Sequence, residues 1–564
     1  MGIRGIWVCV CLTALADVRS QSLTKCAKVR EAFQLRQLGA AKAAPDTSSA
    51  GPDLQMTSST CRSHNLTCCT KKMEERYQVA ARRDFQNLLQ KSCSSLKLFL
   101  SRSVAAFQEA VEVLVHQVQN HTLSLLQSAY GDLAERMLPP VSELFADVEL
   151  FVLGAELSPE EAVQRFFHSL FPLVFQQLVE PGLAPLDPAY AECARTAAMG
   201  RRGPGAFGPA PGLLAARVGG ASLPARLFLQ ALHLGVEVVN TTARPNLARE
   251  CRRALLRMAY CPRCQALPAR PPCMGYCLNV LRGCLASLAE VDAPWREFVR
   301  SLEELGSPPR AGLDLGQALG DTTALVRDAV AHVRASAPWL SAQVRSVCGL
   351  PRRETAHARI IQQGSGMRDP SLPLRRPTTR TDDTLGIRTR ELLQGLRVYR
   401  TFYGGLADQM CVSELASADT ITCWNGADMV RSYTQRVTGN GVQAQSDNPE
   451  VRVKEVDPII NQVIDKLKHI NQLLQGRTIP RLGTLDRIEV GSGDMVAPYS
   501  GDCDDEDSCW GSGNGVSDRP AAPKLAPEQI PRTQDTGPAS VARPAQTRCV
   551  LLVLLAAAAA LFSS

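Results

Sequence analysis

Residues Cys261 to Cys284 read CPRCQALPARPPCMGYCLNVLRGC and hold five of the chain's 20 cysteines: Cys261, Cys264, Cys273, Cys277 and Cys284. Nowhere else are cysteines so dense. Cys-x-x-Cys followed by Cys-x-x-x-Cys admits two readings. Four thiolates can close a tetrahedral zinc shell. Alternatively, each cysteine reaches a distant partner and the stretch gathers a long chain. The compartment decides, because thiols persist in the cytosol and oxidise outside it.

Both ends point outside. Arg4 precedes the apolar run Gly5–Ala16 (GIWVCVCLTALA), followed by small or polar residues. That is a secretory signal peptide over residues 1–20, too short to span a bilayer. Ala14-Leu15-Ala16 and Val18-Arg19-Ser20 are both acceptable cleavage sites. At the other end Val550–Phe562 (VLLVLLAAAAALF) is continuously apolar, and only Ser563 and Ser564 follow. A spanning helix needs roughly 20 apolar residues and a basic cytoplasmic flank. This tail has neither. Small residues Gly537, Ala539, Ser540 and Ala542 precede it, with a polar spacer to Arg548. The arrangement reads as a GPI-attachment signal. Ser540 is the expected attachment residue, with Gly537 and Ala539 as neighbouring alternatives, and residues 541–564 are the discarded propeptide. The mature chain is then held on the outer leaflet without a transmembrane helix.

Secretion weighs against zinc and for disulfides. The net charge of +7 is small for 564 residues and spread along the sequence, so no nucleic-acid partner is expected. A hydrophobic content of 45% is ample for a core, and aromatics at 5% suit helices packed through Leu, Val and Ala.

From Thr70 a helical pattern begins, with no proline between Pro52 and Pro139. Apolar residues recur at Met73, Tyr77, Ala81, Phe85, Leu88, Leu96, Phe99, Phe107, Val111, Leu114 and Val118, at spacings of three and four with longer gaps before Leu96 and before Phe107. At 1.5 Å per residue this helix spans roughly 80 Å. Cys93 lies in it as an unpaired extra. Ser158-Pro159-Glu160-Glu161 is a helix start, with a serine cap, proline in the first turn and a capping box at Glu161. Pro172 is expected to kink that helix. Gly200–Gly212 reads as a loop, and helices are expected at Leu223–Val239, Arg244–Tyr260, Trp295–Leu305, Thr322–Val347 and Arg390–Tyr403. Asp457-Pro458 opens another, with an Ile/Leu stripe to Leu474 and Gly476 at its end.

Residues 349–385 lack periodicity and read as an exposed loop. The pairs Arg352-Arg353 and Arg375-Arg376 leave convertase cleavage open there, although Pro377 follows the second. The disulfide-bonded helical core occupies 21–480, and Gly, Ser, Asp, Pro and Thr dominate a disordered stalk over 481–540.

The stalk carries the chemistry. Ser492, Ser500 and Ser512 each precede glycine, and Asp502-Cys503-Asp504-Asp505-Glu506-Asp507 lies between the last two. Ser-Gly beside acids in an accessible chain is the acceptor context for xylose-linked glycosaminoglycan, glycine admitting close approach of an enzyme. The bland alternative is a flexible linker solvated by its acids. The acids lack the spacing of an EF-hand loop. Asn65, Asn120 and Asn240 sit in N-glycosylation sequons. No Gly-x-Ser-x-Gly, His-Glu-x-x-His or phosphate-binding glycine loop occurs, so no catalytic residue, cofactor or metal is assigned.

Together these features resemble the glypicans, GPI-anchored heparan sulfate proteoglycans. The Cys261–Cys284 stretch is similar to their signature: Cys-x-x-Cys, a Pro-Cys-x-x-aromatic-Cys core at Pro272–Cys277, and Gly283-Cys284. Ala266 stands where that signature has glycine, which bears on a local turn. CCTKKMEERYQVAARRDFQ (from Cys68), YRTFYGGLADQMC (from Tyr399), CWNG (from Cys423) and SGDCDDEDSC (from Ser500) look most like the glypican-3/glypican-5 branch, closest to its glypican-5 members. Leaving aside Cys9, Cys11, Cys93, Cys503, Cys509 and Cys549 gives 14 cysteines, the family's number. The resemblance implies the pairs Cys26 with Cys68, Cys61 with Cys261, Cys69 with Cys264, Cys193 with Cys348, Cys251 with Cys284, Cys273 with Cys423 and Cys277 with Cys411. Spacing alone gives no such connectivity.

The resemblance further implies an all-α, elongated, monomeric core with a disulfide-rich lobe. It implies a co-receptor at the cell membrane, also shed into the extracellular space, for Hedgehog, Wnt, FGF and BMP and their receptors. Sulfated chains would concentrate basic ligands at the surface, and several chains on one core add multivalency. The alternative is a ligand-binding core whose activity is independent of its chains. A GPI-anchored enzyme ranks third, with no residue to support it.

Overall fold

The computed structural model describes residues 26–36, 38, 60–61, 67–181, 183, 186–198, 205–267, 270–306, 315–350, 384–416 and 421–476. All of them lie within Met1–Asp494. The expected signal peptide, stalk and anchor signal, and all but the edges of the 349–385 loop, lie outside the described residues.

The fold is all-α. A helix over residues 26–35 (α1) precedes α2 (Lys71–Tyr130), which runs 60 residues without a break, or about 90 Å. The Thr70 hydroxyl caps α2 by accepting from Met73 N at 3.3 Å. Its buried stripe departs from the sequence expectation: Leu89 and Cys93 fill the gap before Leu96, and Leu88 is only half-buried. Cys93 is thus a small apolar core residue, its thiol pushed up to about 12 by burial, and it is the one free cysteine among the described residues.

Next come α3 (Asp132–Leu153), α4 (Pro159–Val174) and α5 (Pro188–Ala198). Ser158 Oγ accepts from Glu161 N at 3.3 Å, while its hydroxyl donates to the Glu160 carboxylate. Pro172 sits inside α4, which runs on into a π-turn at Phe175–Val179. Helix α6 (Ala210–Thr242) starts inside the expected Gly200–Gly212 loop and continues through Pro224.

Helix α6 lies at the centre. Every residue from 225 to 232 is buried, as expected of a helix apolar on most sides. One of them is Arg226. Its guanidinium donates to the carbonyls of Phe151 at 2.8 Å, Ala155 at 2.6 Å and Gly154 at 3.1 Å. A buried cation therefore closes the C-terminus of α3, where unsatisfied carbonyls concentrate negative charge.

The chain continues through α7 (Arg249–Ala259), α8 (Cys261–Cys264), α9 (Met274–Cys284), α10 (Ala286–Ala289) and α11 (Asp292–Leu305). Then follow α12 (Leu315–Gly320), α13 (Thr322–Ala335) and α14 (Ala337–Cys348), the expected single helix over Thr322–Val347 being broken at Ser336. Likewise the expected Arg390–Tyr403 helix is two, α15 (Thr384–Arg397) and α16 (Phe402–Met410). The sole sheet among the described residues is an antiparallel pair, β1 (Cys423–Trp424) with β2 (Met429–Val430), in the register Cys423↔Val430. Finally α17 (Pro458–Leu474) is capped by Asp457, which accepts from Ile459 N at 2.8 Å, and Gly476 lies beyond it with φ +67°. Helix α17 packs on α11 and α6, and its Lys466 reaches Glu237 at 2.6 Å.

Candidate functional site

The cysteine-dense stretch is where distant parts of the chain meet. Disulfides join Cys61 to Cys261 and Cys69 to Cys264, across 200 and 195 residues. Cys273 is bonded to Cys423 and Cys277 to Cys411, across 150 and 134 residues. Cys26–Cys68 ties α1 to the start of α2, Cys251–Cys284 ties α7 to α9, and Cys193–Cys348 ties α5 to α14. The four sulphurs considered for zinc are all in disulfides, so none is a thiolate able to take a metal. Among the described residues no other cluster of His, Cys, Asp and Glu is arranged to hold one.

The N-terminal half of the lobe is built on Tyr260, at the end of α7. Its ring stacks on Tyr77 of α2 with centroids 4.7 Å apart, and its hydroxyl donates to Asp84 at 2.5 Å. Burial, then the bond to Asp84, pushes this phenol up to about 12. The guanidinium carbons of Arg36 and Arg263 each lie 5.2 Å from the same ring. Cys68 N donates to Cys264 O at 2.8 Å, so the bridges are reinforced by backbone pairing.

The turn after α8 explains the departure at Ala266. Its backbone has φ +57°, the left-handed region, and it is the one non-glycine there among the described residues. Leu267 N donates to Pro262 O at 2.9 Å and Ala266 N to Arg263 O at 3.0 Å, closing the helix end. Glycine takes this conformation without the clash that a Cβ brings.

The C-terminal half is organised by α9. Cys423-Trp424-Asn425-Gly426 has a task for each residue. Cys423 bonds to Cys273; Trp424 is fully buried and donates from Nε1 to Arg257 O at 3.0 Å. Asn425 Oδ1 accepts from Ala427 N and Asp428 N, making the turn between β1 and β2. Gly426 has φ +101°, and a Cβ there would lie 2.7 Å from the Tyr276 ring. Gly283, beside Cys284, is excluded from enlargement on packing alone, because an added Cβ would sit 2.5 Å from Val451.

Between Thr438 and Val451 side chains do what a sheet would do elsewhere. Asn279 of α9 donates to Tyr433 Oη at 3.0 Å and to Arg436 O at 2.9 Å, and accepts from Thr438 N at 2.9 Å. Asn448 donates to Asn279 O at 2.8 Å and accepts from the backbone of Glu450 at 2.8 Å. Burial raises the Glu450 carboxyl, against the opposing pull of the Tyr433 hydroxyl and Arg257. Sequence reasoning missed this network. Its only trace is a run of Asn and Gln with no helical period.

Of the expected modification sites, Asn120 on α2 and Asn240 on α6 are exposed. Their sequon threonines, Thr122 and Thr242, are buried, and Thr242 bonds Tyr403 Oη at 3.0 Å. Asn65, Ser492, Ser500, Ser512 and Ser540 lie outside the described residues. No helix among those described is long and apolar enough to cross a membrane.

Comparison with known proteins agrees with this architecture. The sequence model of the glypican family matches residues 7–550. Human glypican-5 is 49% identical over 510 residues, 90% of this chain and 87% of that protein. Glypican-3 of Danio rerio is 34% identical over 533 residues, 91% of this chain and 87% of that protein. The crystal structure of the full-length glypican-1 core protein superposes with a TM-score of 0.58 at 29% identity, covering 73% of this chain and 90% of that one. The Dally-like protein, solved in complex with O-palmitoleoyl serine, shares the fold at 22% identity with a TM-score of 0.52. The chain therefore belongs to the glypican family, the cell-surface heparan sulfate proteoglycans with non-enzymatic core proteins, and within it to the branch of glypican-3 and glypican-5.

Proposed function

We propose that the chain is a GPI-anchored heparan sulfate proteoglycan that acts as a co-receptor for growth factors and morphogens of the Hedgehog, Wnt, FGF and BMP classes. The observation that carries this is the place of the Ser-Gly acceptors in the sequence, after the last described helix. Helix α17 is docked on the body, with Gln475 Nε2 donating to Glu297 at 2.7 Å, and the three Ser-Gly acceptors follow within the next 40 residues of sequence. In this reading Ser492, Ser500 and Ser512 bear the chains and Ser540 the lipid, so the acceptors lie in sequence between the core and the anchor. Exposed Asn120 and Asn240, together with Asn65, are the N-glycan sites of this reading. Residues 1–20, 21–480, 481–540 and 541–564 are then the leader, core, stalk and propeptide. The lipid-bearing ligand of the Dally-like protein belongs to that protein; here it lends weight to lipid-modified morphogens among the partners.

Heparan sulfate supplies dense negative charge that concentrates basic ligands and raises encounter rates. The test is gel mobility of the surface-expressed protein. A broad, heparinase-sensitive smear is expected, collapsing to a sharp band when all three serines become alanine. A sharp band in the unmodified sequence, unmoved by heparinase, overturns the chain-based mechanism. Phospholipase release from the cell surface tests the anchor separately. Full signalling by the Ser→Ala protein would favour the core acting alone.

A further inference from the structure

The net charge, dispersed along the sequence, is gathered by the fold. Residues 26–36, 67–85 and 249–270 carry 14 Lys and Arg against five Asp and Glu, a net of +9, more than the +7 of the entire chain. Three disulfides hold these segments together. Cys26–Cys68, Cys61–Cys261 and Cys69–Cys264 have Cα–Cα distances of 5.2, 4.8 and 5.1 Å, and α7 packs along α2.

Most of this charge is not neutralised locally. Lys71, Lys72, Arg82 and Arg83 on α2 and Arg249 and Arg253 on α7 are exposed and form no ion pair among the described residues. Arg249, Arg253 and Arg257 recur at every fourth position, so they form a row about 6 Å apart along one helix face. Arg252 Nε, beside that row, is buried without a hydrogen-bond partner. Charges closer than a Debye length of about 8 Å act on a ligand together. Such a cationic surface on rigid, cross-linked helices is preorganised for a flexible polyanion.

We propose that this disulfide-clamped lobe is a binding site for sulfated polysaccharide, separate from the serines to which such chains would be attached. Eleven of its 14 cations are arginines, whose planar forks match sulfate and carboxylate groups in pairs. Arg36 and Arg263 around Tyr260 fix part of the surface in advance. The polymer comes either from the protein's own stalk or from a neighbouring proteoglycan. Core binding itself does not depend on the chain being glycanated, so it fails or stands independently of the proposal above.

The experiment uses the full-length secreted or phospholipase-released protein with Ser492, Ser500 and Ser512 changed to alanine, titrated with a heparin oligosaccharide. Lys72→Gln, Arg83→Gln, Arg249→Gln and Arg253→Gln together are expected to weaken binding by about tenfold or more and to flatten the slope of log affinity against log salt by roughly one per lost contact. Replacing the three arginines with lysine instead retains most of the affinity, which separates lost charge from lost fold. The same number of exposed cations removed elsewhere (Lys97, Arg102, Arg334 and Arg400 to glutamine) changes affinity by less than about twofold. Absence of heparin binding, equal loss in both sets, or displacement of heparin at parity by RNA of equal charge overturns the assignment. If the glycanated protein binds the oligosaccharide only after heparinase, its own chains occupy the lobe; if it binds equally before and after, the partner is a neighbour's chain.

Discussion

Eight consecutive residues of α6 are buried, and that helix carries no cysteine; the 11 residues of α9 carry two, with Cys273 just before them. The two regions keep order differently. In the helical body many apolar side chains share the work, each worth roughly 1.5–3 kcal/mol when fully buried. No single crossing decides the arrangement. In the lobe, residues 421–456 have almost no regular structure, and bridges plus the side chains of Asn279, Gln445 and Asn448 fix their course. Covalent ties are concentrated where there is too little repetitive secondary structure for burial to specify a path.

Three changes probe that contrast. The largest effect is expected from removing Cys273–Cys423 and Cys277–Cys411 together by Cys→Ser. Each such bridge contributes roughly 2–5 kcal/mol through the entropy of the unfolded chain. Secreted yield should fall sharply and proteolysis should open the segment after Cys411. A variant with unchanged protease resistance would show that the polar network alone holds the lobe.

In the body the test falls on its buried charge. Arg226→Leu leaves the carbonyls of Phe151, Gly154 and Ala155 without this donor, at a cost of roughly 2–4 kcal/mol in denaturant unfolding. A neutral or stabilising outcome would place Arg226 among dispensable buried ions and make the body purely apolar in its energetics.

The smallest effect runs the other way. Ala266→Gly relieves a positive φ and should raise stability by about 0.5–1 kcal/mol, the gain from strain being partly offset by the freer unfolded chain. Destabilisation would mean that the lobe accommodates the Cβ without strain.

The long helices were legible because their signal is local. Met73, Tyr77, Ala81 and Phe85 announce a face, and Asp457-Pro458 announces a start. The gap before Leu96 was misread for an instructive reason. Cys93 was read as an unpaired extra and left out of the apolar stripe, whereas at a stripe position it packs as a small hydrophobe. The break at Ser336 was missed although Pro338, in the first turn of α14, marks it, whereas the break after Arg397 left the apolar periodicity intact. Asn279 gave no warning of its role, because its partners at Arg436 and Thr438 lie more than 150 residues away.

By itself, the sequence determined the helical class and the family, both carried by short contiguous motifs. Only the tertiary structure decided that Ala266 stands in a left-handed turn, that Asn279 substitutes for a sheet, and that dispersed cations converge on one lobe. Those facts depend on which distant segments become neighbours. Loop closure over some 200 residues is fixed by the whole packed chain and its disulfides, and no local pattern encodes it.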